Sequence, residues 1–207
     1  MQKYIYRFGQ YSASISFLAA LAYCIVQILQ VAGVIVYPLD DILIYSFSLC
    51  IAPPFLLSIL ALHYSISGEK KIWSHGALLF ALMYTIFVTI MYTVQLATVI
   101  PQSMHDKSPG VLTVTPHSFF WTLDALGYIS MGISTLFASF VFENKRPQRL
   151  IRIFFIANAA VVPLISMAYF YPHFSVALLF IGSPWMITAP GSILLLALFF
   201  KKQGSGV

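Results

Sequence analysis

Charged residues are so few in this chain, and so unevenly spaced, that they leave one kind of fold open. Only 8% of the 207 residues are Asp, Glu, Lys or Arg, whereas a globular domain carries about 25%. Five long stretches contain no charged residue: 8–39, 42–68, 72–105, 125–142 and 153–200. A helix needs about 20 mostly apolar residues to cross a bilayer. The sequence therefore predicts an all-α, polytopic integral membrane protein, folded as a helical bundle.

The lengths of these stretches predict six transmembrane helices in one domain, residues 1–203, because the last stretch holds two helices separated at Tyr171-Pro172-His173. The expected spans are about residues 12–36, 42–65, 73–100, 116–142, 150–171 and 175–200. Thr115 and Pro116 are expected to open the fourth span as its N-cap and first helical residue. Residues 204–207 resemble a short linker of the kind added for expression and are left out of the fold prediction.

The basic residues predict the orientation of these spans. Ten of the eleven Lys and Arg residues fall in segments that an alternating topology puts on one side of the membrane. The ten are Lys3, Arg7, Lys70, Lys71, Lys145, Arg146, Arg149, Arg152, Lys201 and Lys202. Only Lys107, in the connection 101–115, is on the other side. Since loops rich in Lys and Arg stay in the cytoplasm, we expect both termini to be cytoplasmic, in a multi-pass protein of the plasma or inner membrane.

The same distribution limits the class of partner. A net charge of +5 is compatible with nucleic-acid binding, but short basic clusters beside apolar spans are typical of cytoplasmic anchors. We expect the lipid bilayer as a partner and no nucleic acid. A homo-oligomer or a larger membrane complex stays open. Cys24 and Cys50 both fall in predicted spans and indicate neither a disulfide framework nor a Cys metal site.

Asp124 is the most informative single residue, because it is the only charged side chain predicted inside the hydrocarbon region. It lies roughly 12 Å below the outer end of span 4, at about 1.5 Å per helical residue. Helical spacing places His117, Trp121 and Tyr128 on the same side of the helix. Burying a carboxylate costs several kcal/mol unless it is protonated, paired or bound to a cation. A polar intramembrane site around Asp124 is therefore predicted.

Other spans offer polar partners at a compatible depth, and two interpretations of the site follow. These partners are Gln27, Gln30, Tyr92, Gln95 and Ser183. In the first interpretation the cluster binds a ligand, proton or cation, with an aromatic wall from Tyr92, Trp121 and Tyr128. In the second, a protonated Asp124 only holds helices together by hydrogen bonds. A solvent-connected cavity at Asp124 favours the first interpretation, and direct pairing in a closed core favours the second.

Proline placement predicts an irregular span 6. Pro184 and Pro190 each remove an amide donor, so this span is expected to depart from a regular helix between Gly182 and Gly191. Broken helices are often found at the binding sites of transporters.

The histidines raise weaker alternatives for a metal or cofactor. His105, His117 and His173 are predicted at the outer face near Asp40, Asp41 and Asp106, and imidazole with carboxylate suits zinc and related ions. No ligand-spacing motif accompanies them. His63 and His75 flank a short hairpin and offer imidazoles for a haem. The sequence identifies no cofactor.

Three functions stay open on these residues. The leading hypothesis is a small membrane protein that binds, senses or transports a small molecule, proton or cation through the site around Asp124, reached from the outer side. An alternative is a structural or accessory membrane subunit. Another is a membrane-embedded enzyme acting on a lipid-like substrate with Asp124 or His117 as acid or base, although the sequence offers no evident nucleophile or catalytic residue set.

Overall fold

The computed structural model describes residues 2–105, 107–108 and 110–206, with the Val176 side chain left out, and all regular structure in these residues is helical. The α-helices are α1 (Gln2–Val31), α2 (Leu39–Ser65), α3 (Lys71–Val94), α4 (Ile100–Met104), α5 (Phe119–Ser139), α6 (Gln148–Ala160), α7 (Val162–Phe170), α8 (Val176–Ile181) and α9 (Trp185–Ser205). A π-helical turn, Gln95–Val99, joins α3 to α4. Short 3-10 turns occur at Gly68–Lys70 and Gly110–Leu112. The predicted all-α fold is confirmed.

Five helical segments in the described part of the chain are long and apolar enough to cross a membrane, which supports the predicted class of protein. They are Gln2–Val31, Leu39–Ser65, Gly68–Met104, Gln148–Phe170 and Ala177–Ser205. The helix predicted as span 4, α5, is not among these five segments, and it carries Asp124 and several Ser and Thr residues. Twelve of its 21 residues are buried. A helix enclosed by its neighbours does not need an apolar surface toward lipid on every side.

The helices form a closed ring of six rods, which are α1, α2, α3–α4, α5, α6–α7 and α8–α9. Rods that follow one another in sequence pack side by side, and α9 returns to pack against α1. Because successive rods alternate in direction, the ten clustered basic residues lie at one end, here called the basic end. The connections 32–38 and 171–175 and the described residues of 105–118 lie at the opposite end, here called the far end.

Small hydroxyl side chains tie the rods together where they pack closely. The Ser16 hydroxyl donates to the Ile51 carbonyl at 3.0 Å and links α1 to α2. The Ser134 hydroxyl donates to the Ala77 carbonyl at 2.8 Å and links α5 to α3. Small residues of this kind allow helix backbones to approach each other in a membrane bundle.

Helix α1 ends at Val31, five residues before the predicted end of span 1. Gly33 adopts a φ of +69°, a left-handed conformation that glycine adopts without strain. Its amide donates to the Gln30 carbonyl at 2.9 Å, and the Val34 amide donates to the Leu29 carbonyl at 2.9 Å. These two bonds form a Schellman motif, which satisfies the last carbonyls and stops the helix.

Helix α5 begins at Phe119, three residues after the predicted start, so the assignment of Thr115 and Pro116 as its cap and first residue was wrong. Ser118 is the N-cap, and its hydroxyl accepts from the Trp121 amide at 3.2 Å. This bond satisfies an amide of the first turn, which has no helical partner. His117 therefore precedes the helix, at a φ of +65°.

The break predicted in span 6 is present between Gly182 and Pro184, where α8 ends and α9 begins. A second interruption at Pro190 and Gly191 is not present, because both residues lie within α9. Pro190 cannot donate to the Met186 carbonyl one turn earlier. The Cys24 thiol lies 3.6 Å from that carbonyl and donates to it instead. Helix α9 continues through Ser205, so part of the supposed linker is helical; Val207, like Met1, lies outside the described residues.

Candidate functional site

A cavity of about 380 Å³ lies inside the ring of helices, toward the far end. All six rods contribute to its wall. The polar and aromatic residues of the wall are Tyr23, Gln27 and Gln30 of α1, Asp41 and Tyr45 of α2, Tyr92 of α3, Trp121, Asp124 and Tyr128 of α5, Tyr169 of α7, Phe180 of α8, Ser183 at the break, and Trp185 of α9. Val31, Leu179 and Phe180 also line the cavity and are exposed, which marks its mouth between α1 and α8.

Asp124 lies in this wall and is held by two tyrosines from two other rods. The Tyr92 hydroxyl donates to Oδ1 at 2.7 Å, and the Tyr169 hydroxyl donates to Oδ2 at 2.5 Å. The side chain is 9% exposed. Both partners are neutral, and no Lys or Arg lines the cavity among the residues that the structure describes. The charge of an ionised Asp124 therefore has hydrogen-bond donors but no counter-ion.

A chain of side-chain hydrogen bonds runs from the Asp124 region toward the far end. The Tyr23 hydroxyl lies 3.2 Å from that of Tyr128 and donates to the Gln27 side chain at 3.1 Å. Gln27 donates to Gln30 at 2.8 Å, and Gln30 donates to the carboxylate of Asp40 at 2.9 Å. Asp40 is in the first turn of α2, where the helix dipole favours a negative charge.

Aromatic pairs make up most of the remaining wall. Tyr45 and Tyr92 are stacked, with ring centroids 5.6 Å apart. Trp121 and Tyr169 are 4.5 Å apart, and the Trp121 indole donates to the Tyr169 carbonyl at 3.0 Å. Trp185 meets Tyr23 and Tyr128 edge to face, at 5.6 Å and 5.1 Å. These contacts hold the rings in place around the open volume.

The structure brings seven of the nine predicted ligand-binding residues to this cavity. The seven are Asp124, Gln27, Gln30, Tyr92, Tyr128, Trp121 and Ser183. Gln95 and His117 do not line it. Gln95 is the first residue of the π-helical turn, is 1% exposed, and donates to the Leu112 carbonyl at 2.8 Å. His117 is exposed and lies before the first turn of α5, so the helical spacing that grouped it with Asp124 does not apply.

The sequence interpretation missed several residues of the wall, of which Tyr169 is the most important because it bonds Asp124 directly. Ile165, Ala168 and Tyr169 all line the cavity from α7. Their spacing of three and four residues puts them on one face of a helix. That spacing was the available signal. The neighbouring residues of this segment are also apolar, however, so the sequence does not indicate which face of the helix points to the interior. Tyr45 and Trp185 were missed for the same reason, and Asp41 was considered only as a neighbour of the outer histidines.

The structure does not assemble the proposed metal site. Among the described residues, no group of three or more His, Cys, Asp or Glu side chains is placed to hold a metal ion; Asp106 lies outside them. The His173 ring packs on Tyr171 at a centroid distance of 6.2 Å. His63 and His75 contact each other edge to face at 5.4 Å, and His63 Nδ1 lies 3.0 Å from the Ser74 hydroxyl. The two imidazoles thus contact each other directly and do not face one another across a macrocycle.

A second polar cluster, here called the closed cluster, joins three rods through Asn158. The Asn158 amide nitrogen donates to the Thr135 hydroxyl at 3.1 Å, and its oxygen accepts from the Thr188 hydroxyl at 3.1 Å. Asn158 is 1% exposed and Thr135 is fully buried. None of the three lines the cavity. The sequence interpretation did not single out Asn158, because a neutral amide in a span gives a weaker signal than a charge.

The wall of the cavity offers two kinds of contact. Carboxylates, amides and phenols supply hydrogen bonds at defined positions, and indole and phenol rings supply apolar surface. No protein-family model, curated protein or solved structure matches this chain.

Proposed function

We propose that the chain is a small integral membrane protein that binds a small molecule or cation in the cavity around Asp124, in order to sense or transport it. The observation that carries this proposal is the cavity itself, enclosed by all six rods, with the Asp124 carboxylate in its wall. Ligand sites typically have volumes of about 300–1,000 Å³, mostly apolar walls and a few well-placed polar groups. The cavity of about 380 Å³ meets these criteria.

All six rods span the membrane in this proposal, with both termini in the cytoplasm and the cavity open to the outside. Support comes from the basic residues at one end of the ring and the cavity mouth at the other. The test is labelling in intact cells, in a Cys50→Ala background, because Cys50 is exposed. An impermeant maleimide should label Ser108→Cys directly and Ser67→Cys only after permeabilisation. The reverse pattern would contradict the orientation.

A second candidate function is favoured by the direct pairing of Asp124 with Tyr92 and Tyr169. In an accessory subunit, these bonds would only hold α3, α5 and α7 together. The two candidates differ in whether the cavity must stay open. The enzyme hypothesis, which offered Asp124 or His117 as acid or base, has less support, because His117 is exposed outside the cavity wall and only Asp124 lines it.

Native mass spectrometry of the purified protein separates the first two candidates. Ser183→Phe places a ring at the cavity wall, where Ser183 is exposed. Ile187→Phe adds a ring on the same helical segment at a position 71% exposed and outside the cavity wall. We expect a bound small molecule on the unsubstituted protein and on Ile187→Phe, and none on Ser183→Phe. No bound molecule, or the same one on all three proteins, would favour the accessory subunit.

A further inference from the structure

The charge of the cavity wall restricts the class of ligand. Asp124 and Asp41 both line the cavity, and no Lys or Arg does so in the described part of the chain. Tyr92 and Tyr169 lie within hydrogen-bond distance of separate oxygens of Asp124, so an ionised carboxylate at this position has two donors in place. A carboxylate in an apolar bundle is stabilised by a cation and destabilises an anion. We infer that the ligand of this cavity is an organic cation, an amine or a quaternary ammonium; this inference rests on the proposed function.

The aromatic rings favour an organic cation over a hydrated inorganic ion. Five tyrosines and two tryptophans line the cavity. The faces of such rings attract cations within about 6 Å, and the attraction is largest for cations without a tight water shell. A metal ion instead needs several close oxygen or nitrogen ligands, and no group of three or more His, Cys, Asp or Glu side chains is placed to hold one among the described residues.

The size and depth of the cavity fit an organic molecule whose charge lies at its inner end. Below the cavity is a second void of only about 10 Å³, lined by Ser48, Tyr84 and Asp124 among others. That volume holds about one water molecule, so Asp124 lies at the floor of the larger space. An ammonium group at the floor would approach Asp124. The apolar part of the ligand would then contact the aromatic pairs above it, with Asp41 nearer the mouth.

Tryptophan fluorescence can test this inference, because two of the three tryptophans line the cavity. Trp121 and Trp185 are in the wall. Trp73 packs against Phe137 and Phe140 at the start of α3, near the basic end. A Trp73→Phe protein in lipid nanodiscs therefore reports mainly on the cavity. It is titrated with benzyltrimethylammonium, with the neutral isostere neopentylbenzene, and with the anion phenylmethanesulfonate.

We expect a saturable change in tryptophan fluorescence with benzyltrimethylammonium only. Adding Ser183→Phe should abolish the change, adding Ile187→Phe should preserve it, and the Ser183→Phe titration also measures partition into lipid. Asp124→Asn should weaken the affinity about tenfold or more, because the Coulomb attraction at the floor is lost in a low-dielectric setting. Asp41→Asn, nearer to solvent, should weaken it about two- to fivefold.

The comparison among the three probes needs no substitution at Asp124, so it stands even where Asp124→Asn fails to fold. If neopentylbenzene or phenylmethanesulfonate bound as tightly as benzyltrimethylammonium, or more tightly, the inference of a cationic ligand would be overturned. If Ser183→Phe still abolished that binding, the cavity would remain a binding site. Absence of a saturable change with all three probes would also overturn the cationic class. The proposed function would then be decided separately, by the mass of the molecule retained on purification.

Discussion

Two buried polar clusters in this bundle have nearly the same hydrogen-bonding plan and differ in what lies beside them. Asp124 joins its own helix to two others through Tyr92 and Tyr169. Asn158 joins its helix to two others through Thr135 and Thr188. The first cluster borders a cavity of about 380 Å³. Thr135, Asn158 and Thr188 line neither this cavity nor the small void below it.

This difference shows that satisfied hydrogen bonds do not by themselves distinguish a binding site from a structural contact. Asn158 uses one of its two amide N–H donors and one of its two oxygen lone pairs on neutral partners. A carboxylate has about four acceptor positions on its two oxygens, and Asp124 uses only two of them on side chains. Both side chains thus keep unused hydrogen-bonding capacity, and of the two only Asp124 lines the cavity.

The largest effect on stability is expected from added volume beside the closed cluster. A Cβ at Gly132 would lie 2.0 Å from Cγ2 of Val162, and a β-branched side chain has little freedom to move away. Gly132→Ala should therefore lower the free energy of unfolding by about 1–3 kcal/mol. The matched change beside the cavity is Gly182→Ala, whose Cβ would meet Ile165 Cγ1 at an ordinary 3.4 Å. It should cost about 0.5 kcal/mol or less.

Thermal unfolding in one detergent measures both variants, and Gly132→Ala combined with Val162→Ala should recover much of the loss. Equal stabilities for Gly132→Ala and Gly182→Ala would show that the two regions are packed alike.

The fold was largely predictable because charge and length decide it. Runs of about 20 apolar residues between basic clusters have few alternatives to membrane helices. Helix ends were less predictable, because several residues near each end can form a cap. Ser118 and Thr115 are both good N-cap residues, and the choice of Ser118 depends on its bond to the Trp121 amide.

The candidate site was predictable in part, for a similar reason. Asp124 was found because a charge inside a span is costly and therefore rare. Tyr169 and Trp185 were not found, because aromatic residues are common on lipid-facing and interior surfaces alike, and the side that faces the cavity depends on how the rods rotate against one another. Gln95 was misplaced because its depth along the span does not decide the face of the helix on which it lies, and its side chain donates to the Leu112 carbonyl instead.

A smaller effect is expected from removing the central side chain of the closed cluster. Asn158→Ala deletes the bonds to Thr135 and Thr188, and a hydrogen bond between membrane helices is worth about 0.6 kcal/mol on average, with a maximum near 1.7. The free energy of unfolding should therefore fall by about 1–2 kcal/mol. Ligand binding should be unchanged, because Asn158 does not line the cavity. If a folded Asn158→Ala protein lost the bound molecule, that result would show that the two clusters act as one functional unit.

Among changes to the central side chains of the two clusters, Asp124→Asn is expected to have the smaller effect on stability and to separate the two clusters most sharply. The amide keeps the size of the side chain, one oxygen can still accept from one tyrosine, and the NH₂ group can donate to the hydroxyl oxygen of the other. The free energy of unfolding should thus change by about 1 kcal/mol or less, while the affinity for a cationic ligand should fall because the charge is gone. Asp124→Leu is the control, since it leaves the hydroxyls of Tyr92 and Tyr169 without their acceptor and should be less stable than Asp124→Asn. If Asp124→Asn keeps both the stability and the ligand binding of the unsubstituted protein, Asp124 serves the same structural purpose as Asn158, and the cavity beside it is not the site of function.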